Sequence, residues 1–191
     1  MKKQNPALLY GLIGAAILIL ISIGMQMYMI SYMKKTVESS GTFSPMKFLG
    51  FTIIILLVII TVFIICIIKA IKDYRKINPE YTYRKLVGQG LQTTLIIALV
   101  STAFSFLYSQ FIDPESRQKS IDLTLQLYEN MNLPEEQKEK MIEQIQNQNP
   151  VRQTITSLAL TLFFGLIVSL ISASVLNKRN KSLSSNPNNL S

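Results

Sequence analysis

Hydrophobic residues fill four stretches of this chain with no charged side chain among them: residues 7–32, 48–68, 86–112 and 153–176. An α-helix rises about 1.5 Å per residue, so each stretch is long enough to cross a hydrocarbon core about 30 Å thick. The second stretch is nearly unbroken Ile, Leu, Val and Phe. A water-soluble helix of that composition would need protein on every side, which a chain of 191 residues cannot supply. The pattern therefore predicts an all-α polytopic membrane protein with four transmembrane helices.

Polar punctuation marks where the helices begin. Asn5-Pro6, Ser44-Pro45, Asp113-Pro114 and Asn149-Pro150 each place a capping side chain before a proline. The cap accepts an orphan backbone N–H, and proline has no N–H to lose in the first turn. Three of these pairs open spans one, two and four. Asp113 and Pro114 instead open a helix outside the apolar runs.

Between spans three and four, residues 113–149 form the one sizeable polar insertion. Ile121, Leu125 and Tyr128 make one stripe at helical spacing, and Leu123, Leu127 and Met131 make another. After Asn132-Leu133-Pro134, a second helix starts with Glu135 and Glu136 near its positive end, and carries Met141, Ile142 and Ile145. The insertion reads as an extracytoplasmic helical hairpin. Residues 1–180 form one four-span domain, and the Ser/Asn-rich residues 181–191 are expected to be a disordered tail.

Within the spans, small residues recur every four positions. Span four carries Ser157, Thr161, Gly165, Ser169 and Ala173. Span three carries Gly90, Thr94 and Ala98, continuing to Thr102, Ser105 and Ser109, and span one carries Ala7, Gly11 and Ala15. Positions four apart share a helix face, so each series is a shallow groove that lets another backbone come close. These residues are expected to pack spans one, three and four together. Span two has almost no such residues and is expected to face lipid. Span three is also the most polar, with Gln89, Gln92, Thr93, Thr94, Ser101, Ser105 and Gln110 expected to face the bundle or lie near an interface.

Composition narrows the function classes. Charged residues make up 16% of the chain, against roughly 25% in soluble domains. The net charge of +8 sits in short flanks of the apolar runs, which reads as topology signalling rather than nucleic-acid binding. Lys and Arg are denser in the N-terminal flank, the second connection and the C-terminal flank. Both termini are therefore expected to be cytoplasmic. The chain has no histidine and one cysteine, Cys66, so a metal site, a disulfide and His-based acid–base chemistry are not expected. Hydroxyls lie within the spans without a base beside them, so no catalytic residue and no cofactor is expected.

Three segments carry a resemblance to a known family. Phe111-Ile112-Asp113-Pro114, Leu133-Pro134-Glu135-Glu136-Gln137 and Gly165-Leu166-Ile167-Val168-Ser169-Leu170-Ile171 resemble bacterial four-helix membrane proteins grouped as domain of unknown function 4199, over about residues 5–180. The resemblance implies a four-span inner-membrane protein with an outer helical insertion, and brings no activity with it. The expected function is non-enzymatic, through protein or lipid interaction. The partners expected are the bilayer and either a second copy or another membrane protein. The alternative is a small transporter or channel subunit for a neutral or lipidic solute.

Overall fold

In the computed structural model, residues 5–38, 45–129, 134–147 and 149–184 are described, and every regular element among them is helical. They are α1 (Pro6–Glu38), α2 (Pro45–Ile77), α3 (Tyr83–Leu107) with a π-helical turn at Tyr108–Ile112, α4 (Pro114–Glu129), α5 (Glu135–Gln146) and α6 (Pro150–Ser184). Among the described residues, four helices (α1, α2, α3 with its π-turn, and α6) are long and apolar enough to cross a membrane. The chain is a multi-pass membrane protein.

Local chemistry accounts for the helix boundaries. Asn5 Oδ1 accepts the Ala7 N–H at 3.1 Å, and Asn149 Oδ1 accepts those of Val151 and Arg152 at 2.9 and 3.3 Å. Ser44, the cap expected for α2, lies outside the described residues. The helices outrun the apolar stretches because nothing stops them. From Tyr32 to Glu38 and from Ile68 to Ile77 there is neither glycine nor proline, and Lys35, Arg75 and Lys76 sit in the last turns of α1 and α2, where positive charge complements the helix dipole. In the same way α6 runs through Ser184, into the segment expected to be disordered; residues 185–191 lie outside the described residues.

Two long-range contacts tie the helices together at one end of the bundle. Gln89 Nε2 donates to Asn5 Oδ1 at 3.1 Å, and Tyr83 Oη lies 3.2 Å from Ser174 Oγ. The starts of α1 and α3 and the end of α6 thus share one end, here called proximal. The insertion helices α4 and α5 follow the opposite, distal end of α3. Helix α3 packs most extensively, against α1 and α6 on either side and also against α2; α1 further packs on α2 and α4.

The core gathers Phe63, Cys66, Ile67 and Ile71 of α2 with Leu86, Ile97, Val168, Ala173 and Leu176. This corrects the expectation that span two faces lipid throughout. Its distal half does present Ile53, Ile54, Leu57 and Val58 outward. One face of its proximal half is buried because α1 and α3 offer shallow faces there, so bulky side chains from α2 fill the space between them.

At the distal end of α3 the Asp113 N–H bonds to the Tyr108 carbonyl at 2.8 Å, five residues back, closing the π-turn. Asp113 then caps α4, accepting the Ser116 N–H at 2.9 Å through Oδ1 and the Ser116 hydroxyl through Oδ2 at 2.5 Å. The Ser116 hydroxyl, then its amide, hold the Asp113 carboxyl below the usual carboxylate range. A depressed folded-state pKa gives stabilisation that is complete above the unfolded pKa of about 3.9 and is lost as pH falls through the folded value. Hydrogen exchange at the Ser116 amide in micelles should therefore speed up as pH drops below about 4, beyond the intrinsic pH dependence of exchange. Asp113→Asn should abolish that extra acceleration; an identical acid response in the variant would show that this cap does not hold the α4 start.

Candidate functional site

The small-residue stripes of α3 and α6 face one another but do not behave uniformly along their length. In the proximal half they close. A Cβ on Gly165 would meet the Thr94 side chain, 2.8 Å from its Cβ, and one on Gly90 would meet Ser169 and Ile71. Thr94, Ala98, Ser169 and Ala173 are fully buried. Ser169 Oγ donates to the Gly165 carbonyl at 2.6 Å, whereas Thr94 Oγ1 is buried without a hydrogen-bond partner among the described residues.

In the distal half the same two stripes diverge. Ser157 and Thr161, expected to pack, instead line a cavity of about 500 Å³ together with Gln153 and Thr154 of α6. Helix α3 contributes Ser101, Thr102, Ser105 and Phe106, with Ser109 from the π-turn. Gln26 of α1 and Ser120 and Ile121 of α4 complete the lining. No titratable side chain is among these residues. Asp113 and Pro114, capping α4, hold that helix where Ser120 and Ile121 can reach the cavity.

Three hydroxyls of this lining are already directed to backbone carbonyls. Ser101 Oγ donates to the Ile97 carbonyl at 2.6 Å, Ser109 Oγ to Phe106 at 3.1 Å, and Thr161 Oγ1 to Ser157 at 2.9 Å. Such back-bonding to the preceding turn is the usual way a helical Ser or Thr is satisfied in lipid. It uses the hydroxyl proton and leaves oxygen lone pairs, so these side chains meet the cavity as acceptors.

A second, apolar pocket of about 430 Å³ adjoins the first near mid-span. Leu56, Ile59, Ile60 and Phe63 of α2 line it with Leu18, Ile97, Leu160, Phe163 and Phe164, and it shares Ser101 and Thr161 with the polar cavity. A third, of about 390 Å³, lies at the proximal end, where Gln89, Gln92 and Lys85 of α3 meet Asn5, Tyr74 and Asn78. Nearby, Tyr10 Oη donates to Asp73 Oδ2 at 2.5 Å and Lys76 Nζ to Asp73 Oδ1 at 3.0 Å.

Several of these arrangements are invisible in the sequence. Asp73 is the single acid in the basic run that ends α2, which is a weak signal; nothing local pairs it with Tyr10. Gln26 and Gln153 are ordinary interfacial amides until the fold sets them around one space. The four-residue period of the stripes is legible, but where they part is not.

A family model described as protein of unknown function (DUF4199) matches residues 9–178. No curated protein and no solved structure matches the chain.

Proposed function

The chain belongs to the DUF4199 family, and we propose that it works there as a non-enzymatic membrane protein that binds an uncharged polar group in its distal cavity. The observation that carries this reading is the composition of the lining: hydroxyls, amides and no ionisable side chain, in a space of about 500 Å³. That volume falls within the roughly 300–1,000 Å³ of small-molecule sites. A charged ligand there would lose its hydration without gaining a counter-charge, which is costly at this depth. The serines and threonines have no base beside them in the lining, so the site favours holding a molecule over cleaving one.

The dense Lys and Arg flanks at the proximal end support a bacterial inner-membrane setting with both termini in the cytoplasm and the cavity towards the outer side. In this reading lipid interaction takes precedence over protein interaction, since the cavity is a defined receptor for a small polar group.

Ser105→Leu, which fills the cavity without touching the close-packed proximal seam, should reduce binding of an uncharged polyhydroxyl detergent head by about tenfold. The measurement is competition between octyl glucoside and a chain-matched zwitterionic detergent for the purified protein. Equal affinity of wild type and variant for octyl glucoside would remove the cavity from the proposal.

A second reading, transport of a neutral solute, is favoured by one feature. Polar pockets lie at both ends of α3, and the closed seam of Gly165 with Thr94 lies between them. Flux of a neutral solute across reconstituted vesicles that is lost in Ser105→Leu would favour this reading over binding alone.

A further inference from the structure

We infer that the distal cavity and the adjoining apolar pocket are one site, shaped for a single-chain amphiphile with an uncharged, hydroxyl-rich head. The inference rests on the binding reading above and adds the rest of the ligand to it.

Three observations converge. First, the two spaces adjoin, with Ser101 and Thr161 lining both. Second, they lie in sequence along the bundle axis. The polar lining on α3 runs from Ser101 to Ser109, about 12 Å of helix at 1.5 Å per residue, and the apolar pocket continues from Ser101 towards Ile97 and Phe63. Polarity therefore falls from the distal end towards mid-span, as it does along a lipid with its head at an interface and its chain towards the bilayer centre. Third, the lining selects the head. Ser101, Ser109 and Thr161 commit their protons to backbone carbonyls and meet a ligand as acceptors, while the Gln26 and Gln153 amides carry donors. Glycerol and sugar hydroxyls both donate and accept. A carboxylate or phosphate only accepts, and no lysine or arginine lines the cavity to neutralise its charge.

Access is provided by the helix arrangement. Helix α1 packs on α2, α3 and α4, and α6 packs on α3 and α2. Their distal halves flank the polar cavity from opposite sides, with Gln26 on one and Ser157 on the other. An amphiphile already in the leaflet reaches the site sideways, keeping its chain in an apolar medium throughout.

The test uses the full chain reconstituted in phosphatidylcholine nanodiscs, with radiolabelled monooleoylglycerol as probe and unlabelled oleate as competitor. The expected result is saturable binding of monooleoylglycerol, with oleate at neutral to alkaline pH weaker by about tenfold or more. Ser105→Leu, filling the head region, and Ile59→Trp, filling the chain region, should each weaken binding by about tenfold, while Ile54→Trp on the lipid-facing side should not. Ser157→Leu and Leu160→Trp serve as second variants for the two regions should either of the first fail to purify as a monodisperse species. Loss with the head-region variant but not the chain-region one would overturn the amphiphile inference and leave the polar-group reading standing. Loss with neither would overturn both, and loss with the chain-region variant alone, or equal affinity for oleate, would overturn the assignment of the head.

Discussion

Leucine in place of Gly165 is expected to keep α3 and α6 from closing along their proximal halves. Any Cβ at this position collides with the Thr94 side chain. The obstacle cannot swing aside, since Thr94 is β-branched and fully buried between the two helices. Relief requires the helices to separate, and separation also loosens Gly90 from Ser169 and exposes the Ser169 hydroxyl. Overpacking in compact cores costs about 1–3 kcal/mol where neighbours can adjust, and here the cost should exceed about 3 kcal/mol because backbone must move. In lipid there is no hydrophobic force to hold the helices together once close packing is lost. Unfolding by sodium dodecyl sulfate titration in mixed micelles would measure the change. Stability within about 0.5 kcal/mol of wild type would contradict the close approach of these two backbones.

Ile67→Ala and Ile54→Ala, two chemically identical changes on one helix, should differ sharply. Ile67 is wholly buried in the core cluster, whereas Ile54 is 61% exposed on the lipid-facing surface. In water both changes would remove favourable burial to some degree. In a bilayer an exposed isoleucine exchanges protein for acyl chain at little net cost, so only lost packing counts. Ile67→Ala should cost about 2 kcal/mol, the lower end of the soluble range, because the cavity contribution persists while the transfer from water does not. Ile54→Ala should fall within about 0.5 kcal/mol of zero. The same detergent titration checks both, and equal destabilisation would mean that α2 does not insert its proximal half between α1 and α3.

Helix number and class are legible in the sequence because insertion into lipid is decided by local composition. A run such as Ile53–Ile65 admits one solvent and one secondary structure, whatever its neighbours do. The pairing of α3 with α6 is also prefigured, since Gly90, Thr94, Gly165 and Ser169 repeat at the interval of one helix face. Where that pairing stops is not. Ser157 and Ser169 are alike in type and period, yet one lines open space and the other is sealed. The difference goes with α4, which rests on α1 and lines the open space beside Ser157, a long-range arrangement. The π-turn at Tyr108–Ile112 gives no warning either, as its residues are ordinary helix formers until Asp113 turns to cap α4. The Tyr10–Asp73 bond joins residues sixty-three positions apart, beyond the reach of any local pattern.

The central position of α3 bears on how the molecule is made. It is the least apolar of the four spanning helices, with Gln89, Thr93 and Thr94 on surfaces that face other helices. Ribosomes release the chain from its N-terminus, so α1 and α2 are already embedded when α3 arrives, and Asn5 is in place to receive the Gln89 amide. Helix α6 comes last and closes over Thr94. Synthesis order thus presents each helix to those it packs on, and α3, the least apolar span, has α1 and α2 beside it to receive its polar side chains.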